Sequence, residues 1–111
     1  MPAGEGIAMN IVASRNLVAI HPAQGETPLR IAIGLPYKYG ENEWACPVAL
    51  EGLYETLRDQ HGEDSFQALM LAQKLARMLL NDFVEKGGKL LDAPNGDSVN
   101  VERLFSSGVM S

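Results

Sequence analysis

The stretch over 64–87, DSFQALMLAQKLARMLLNDFVEKG, constrains the fold more than any other, because both ends of a long helix are written into it. Asp64 is suited to the N-cap, where a carboxylate accepts the orphan N–H groups of the first turn. Gln67 stands three residues on, so Asp64-x-x-Gln67 reads as a variant capping box. Lys86 suits the negative pole of the helix, and Gly87 can take the left-handed conformation just past its end. At about 100° per residue, Leu69, Leu71, Ala72, Leu75, Ala76, Met78, Leu79, Leu80 and Phe83 spread over roughly 200°. A helix lying on one sheet face needs a stripe only a little wider than about 100°. The sequence therefore predicts a helix covered on two sides.

A run of β-favouring segments precedes it. Residues 11–20 read as a strand with apolar groups on both faces, followed by a hairpin loop over 21–26 with Gly25 at its bend. Residues 28–37 give the clearest alternation, Leu29, Ile31, Ile33 and Leu35 against Arg30, Ala32, Gly34 and Pro36. A turn over 39–42 leads to a third strand over 43–52. There Trp44, Cys46, Val48 and Leu50 share one face, and Pro47 marks a bulge or an edge. Residues 53–61 suit a short, solvated fourth strand better than a helical turn. After the long helix, Leu90 and Leu91 make a brief apolar contact. Val101, Leu104 and Phe105, at i, i+3, i+4 spacing, suit a short helix over 98–106.

Strands followed by a helix give an α+β domain: an antiparallel sheet of three to four strands, then one long helix packed on one face, with a short C-terminal helix. With 111 residues the chain forms one domain. Its expected parts are a flexible lead-in over 1–9, the α+β body over 10–91, and a C-terminal tail over 92–111.

Three clusters carry a resemblance: Ala13-Ser14-Arg15-Asn16-Leu17; then Trp44-Ala45-Cys46-Pro47 with Leu50-Glu51-Gly52-Leu53; then Gly62-Glu63-Asp64-Ser65-Phe66-Gln67-Ala68-Leu69. The Trp-x-Cys-Pro run, the Gly-Leu pair after it and the Gly-x-Asp-Ser-x-Gln-Ala-Leu helix start resemble a family of small, mostly bacterial, uncharacterised domains. The likeness runs from about residue 11 to 90 and implies a domain type without a reaction. It favours strand over helix for 54–61. The tail after Leu91 departs from the pattern.

Charge and composition narrow the function. The net charge of −5 comes with nine scattered basic residues and no basic block, which argues against a nucleic-acid binder. No stretch approaches 18 uninterrupted apolar residues and no N-terminal run has the form of a signal peptide, so neither a membrane partner nor export is expected, and a cytoplasmic location is. The single cysteine, Cys46, excludes an intrachain disulfide and a Cys-rich zinc site. It alternates with Trp44, Val48 and Leu50, which makes it a small buried apolar group before it is a nucleophile. His61 beside Glu63 and Asp64 has no zinc-ligand spacing. Asp64 occupies the helix N–H groups that a phosphate would need. No cofactor and no metal are expected.

Three functions remain, in order. The first is an interaction domain that forms a homodimer, or docks a protein partner, through Leu71, Leu75, Met78 and Leu79 on the second apolar flank of the helix, with Met70 as a further contact group. The second is a small-ligand binder around Trp44, Tyr37 and Arg15, although Arg15 more simply pairs with Glu51 or Glu43. The third is an enzyme using Cys46 or His61. Against the dimer, Val101, Leu104 and Phe105 could fold back on Leu75 and Leu79 and satisfy the second flank within one chain.

Overall fold

The computed structural model describes residues 9–92 and 96–106. Seven strands and two helices follow one another: β1 Ile11–His21, β2 Gly25–Gly34, β3 Tyr37–Gly40, β4 Glu43–Cys46, β5 Val48–Glu51, β6 Gln60–Gly62, α1 Ser65–Glu85, β7 Lys89–Asp92 and α2 Val101–Leu104. They build two antiparallel sheets, one of four strands in the order β5-β2-β1-β7 and one of three in the order β3-β4-β6. The α+β class, the long helix and the short C-terminal helix are as the sequence implies. The expected lead-in over 1–9 lies, Met9 apart, outside the described residues.

The β1–β2 hairpin runs from Ile11↔Gly34 to His21↔Gly25, with one irregularity at Val12. Its inner half is central: Leu17 and Ala19 are buried, and β7 pairs with Leu17, Val18, Ala19 and Ile20. Its outer half is an edge. Residues 11–16 are all exposed, and among the described residues their outer side pairs with nothing.

The third expected strand divides at Pro47. Glu43–Cys46 belongs to the small sheet and Val48–Glu51 to the large one. A proline carries no N–H for the ladder, so the chain can leave one sheet there and enter the other. The corner is closed by Gly34, whose N–H donates to the Pro47 carbonyl at 2.9 Å, while the Cys46 thiol donates to the Gly34 carbonyl at 3.3 Å. Residues 53–59 are irregular and only Gln60–Gly62 is strand, which corrects the expected fourth strand. The Leu50 carbonyl accepts from both Leu53 N–H and Tyr54 N–H, a turn that takes the chain off the sheet edge. Leu53, Tyr54 and Leu57 then pack, half-buried, against the core.

Both ends of α1 are built as read. Asp64 Oδ1 accepts from the Gln67 N–H at 2.8 Å. Gln67 Oε1 returns to the Glu63 N–H at 2.7 Å, one residue before the N-cap. At the other end Gly87, at φ +101°, donates to Val84 and Gly88 donates to Phe83, the paired bonds of a Schellman motif. Ala68, Ala72, Ala76, Leu80 and Phe83 form the buried stripe. The alanines allow α1 to lie close over β4 and β6, so the second flank need not be a second interface. Leu69, Leu75 and Leu79 are half-buried against the core of this same chain, Val101 is part of that core, and Leu104 and Phe105 pack on it.

Candidate functional site

Where α1 leaves the four-stranded sheet, a groove of about 940 Å³ opens between α1, β2 and the end of α2. Ile31, Ile33, Leu71, Met70, Leu104 and Phe105 give it an apolar lining; Gln67, Gln73, Lys74 and Arg77 give it a polar rim. A smaller cleft of about 150 Å³ shares Ile31, Ile33, Leu104 and Phe105, and extends the groove over Ala13, Ser14 and Arg15 on the exposed half of β1. The residues lining these two spaces include three cations, Arg15, Lys74 and Arg77, and no carboxylate. Arg15 and Arg77 are anchored from outside the lining, by Asp92 at 3.3 Å and by Glu102. Lys74 has no ionic partner among the described residues. Pairs this exposed are worth at most about 1 kcal/mol each, so their effect is to orient the guanidinium groups.

Arg15 is exposed, and it has a carboxylate partner as the sequence implied, but a different one. Glu51 pairs with Arg30 at 3.7 Å and Glu43 with His61 at 2.6 Å. The register explains the choice. Leu17 faces Asp92 across the β1–β7 pair, so Arg15 and Asp92 are diagonal neighbours.

The remaining candidates are dispersed. Trp44 packs against the core from the small sheet, and the clefts lined by Arg15 do not reach it. Of the four interface residues, Leu71 lines the groove, Leu75 and Leu79 pack on the core, and Met78 is 55% exposed.

Cys46 is fully buried, and burial, aided by the negative charge of Asp59, pushes its thiol up to about 11. A thiol protonated at neutral pH with its hydrogen directed at a backbone carbonyl is not an activated nucleophile. It also predicts an alkaline weakness. The unfolded thiol ionises near 9 and the folded one only near 11, so its contribution is complete below pH 9 and is lost as pH rises to 11. The loss is about 2–3 kcal/mol at about 1.4 kcal/mol per pH unit. Urea melts at pH 8, 9, 10 and 11 should show this fall in the parent and a shallower one in Cys46→Ala; equal slopes would assign the alkaline loss to other groups.

His61 is paired with Glu43 and not with its sequence neighbours Glu63 and Asp64. Its Nδ1 meets Glu43 at 2.6 Å on the neighbouring strand, and Tyr39 approaches its ring edge-on at 4.7 Å between centroids. On the same side of the molecule, the Tyr37 hydroxyl donates to Asp59 at 2.6 Å, a bond that pushes the phenol up to about 12. A carboxylate on Nδ1 leaves Nε2 available as a proton acceptor. Among the described residues no cysteine or hydroxyl nucleophile is hydrogen-bonded to it, and no group of three or more His, Cys, Asp or Glu side chains is placed to hold a metal ion. The sequence carried a signal for this acidic pole: residues 37–64 contain seven acidic and two basic residues, a balance of −5, which equals the net charge of the whole chain. The groove lies in the electrically neutral remainder.

A family model described as Domain of unknown function (DUF6968) matches residues 13–99. The chain belongs to that family. The matched region takes in β1 from Ala13 onward, every strand from β2 to β7 and all of α1, and stops just before α2. No curated protein and no solved structure shows a significant match to the chain. Among the described residues, no helix is long and apolar enough to cross a membrane.

Proposed function

We propose that this DUF6968 domain is a protein-interaction module whose working surface is the groove between α1, α2 and β2, and that it receives an apolar segment carrying negative charge. The lining carries the reading: six apolar side chains form one continuous surface, and every charged group on that surface is a cation although the chain as a whole is acidic. Grooves of this kind take the apolar face of an amphipathic segment, and the charged rim selects its flanks. The second flank of the long helix takes part through Leu71 and Met70, while Leu75 and Leu79 hold the domain together.

The amphipathic anion 8-anilinonaphthalene-1-sulfonate is a direct probe. It should bind the native protein saturably, with a rise in fluorescence. Lys74→Glu and Met70→Glu, both at exposed positions, should each weaken that binding about tenfold and leave thermal stability within about 0.5 kcal/mol. Absence of saturable binding to the folded protein, or binding untouched by both substitutions, would sink the reading.

A further inference from the structure

The geometry points to a second binding site, a cleft at the C-terminal end of α1 that takes the head of a small alkylated organic cation, such as a quaternary ammonium, on aromatic rings and the carboxylate of Asp82. None of the residues lining this cleft lines the groove, so the inference stands apart from the reading of the domain as an interaction module.

Three distant pieces of chain build this cleft of about 210 Å³: His21 at the end of β1, Leu53 and Tyr54 in the turn after β5, and Asp82, Phe83 and Lys86 at the end of α1. Each piece is held by its own contacts. His21 Nδ1 accepts from the Ala23 N–H at 3.2 Å, which fixes the imidazole over the hairpin turn. The Leu50 carbonyl holds Leu53 and Tyr54 by their N–H groups. Phe83 is 9% exposed and lies against Gly88, where any Cβ would run into its ring. The His21 and Phe83 rings stand 6.2 Å apart between centroids and 48° apart in plane, an open corner beside Tyr54. A ligand here meets rings that are already in place, so little ordering opposes its binding.

The chemistry of the wall selects a cation. Aromatic faces are negative, and so is the C-terminal pole of a helix. Among the described residues lining the cleft, Asp82 is the one carboxylate and Lys86 the one ammonium, paired at 3.0 Å. An anion would meet Asp82 and the helix pole together. The Lys86 side chain is 74% exposed, which fits a strongly hydrated primary ammonium that stays at the rim instead of entering among the rings. An alkylated ammonium holds its water less tightly and can take both the rings and the carboxylate. So exposed an ion pair is weak, and taking Asp82 from Lys86 costs the ligand no more than about fivefold in affinity. The volume admits a head group only, since sites for drug-sized ligands begin at about 300 Å³.

Tetramethylammonium chloride is the probe, titrated into the full chain at constant ionic strength and followed by amide nitrogen–proton correlation spectra. The N–H signals of Ala23, Tyr54, Gly87 and Gly88 should shift saturably, in the millimolar range that a few ring contacts support. Those of Met70 and Lys74, beside the groove, should stay. Two surface substitutions should act in opposite directions. Asp82→Asn removes the carboxylate and leaves Lys86 unneutralised, and should weaken binding about fivefold or more; Lys86→Met removes the competitor and should tighten it by up to about fivefold. Ammonium chloride should shift the same signals far less, because its ion gives up water reluctantly. Shifts no larger than sodium chloride produces overturn the inference. So do equal shifts with ammonium chloride, which would mean attraction by charge alone, and so does a Lys86→Met variant that binds no more tightly than the parent.

Discussion

Gly52→Ala is expected to cost the domain at least about 3 kcal/mol, a large share of a typical domain stability of about 5–15 kcal/mol. Gly52 takes φ +109°, a region in which an L side chain is disfavoured by about 1–2 kcal/mol. An added Cβ would also stand 2.1 Å from the Pro28 carbonyl oxygen. That atom is β2 backbone, paired with Val18 of β1 and two residues from the Arg30↔Glu51 end of the β2–β5 ladder, so it cannot yield without disturbing that register. The position is where β5 ends and the chain turns off the sheet, which explains why both demands fall on one residue. Gly25→Ala is the internal control: its φ is +85° but nothing lies within 4 Å of the added atom, so only the conformational cost of about 1–2 kcal/mol applies. Urea denaturation of both variants decides the matter. Equal losses would show that the β2–β5 approach is loose.

The second large effect is expected at Leu80. It is fully buried on α1, in the cluster that includes Leu17, Leu29 and Leu50. Leu80→Ala removes its contacts and leaves a cavity that the alanine-rich helix stripe has no larger side chain to fill, a loss of about 3–4 kcal/mol. Met78→Ala, two residues away and 55% exposed, should change stability by less than about 0.5 kcal/mol. A loss at Met78 as large as that at Leu80 would mean that the outer flank of α1 is engaged in solution, and would return the helix to consideration as an interface.

Legibility in the sequence followed the range of the interactions. The ends of α1 are decided within six residues, by Asp64 with Gln67 and by Gly87, and both were readable. The β1–β2 hairpin was readable from its alternation and from Gly25. β7 was not, because Lys89–Asp92 is too short to show a period and its pairing with β1 spans about seventy residues. That single omission accounts for the misassigned partner of Arg15. Pro47 announced a break, but that the chain changes sheets there depends on Gly34, thirteen residues earlier. Residues 53–59 alternate well enough for a strand, yet Leu53, Tyr54 and Leu57 are held as separate anchors on the core. Of the groove, Met70 was visible as an apolar residue on the wrong side of the helix. Lys74 and Arg77 carry no signal in the sequence, because what gives them a setting is α2 and the sheet behind them. The pairing of Glu43 with His61 needed the β4–β6 register.

The position of β7 has a consequence for synthesis. β1 and β2 leave the ribosome early and can close their hairpin at once, but the strand that covers the other side of Leu17 to Ile20 emerges about seventy residues later, after the whole of α1. At about 5–20 residues per second, that side waits roughly 4–14 s for its partner. During that interval all of β1 from Ile11 to Ile20 presents one unpaired edge, and neighbouring chains on the same message carry the same edge. Completion of α1 and its Gly87-Gly88 stop then returns the chain to the sheet and confines the open edge to its outer half.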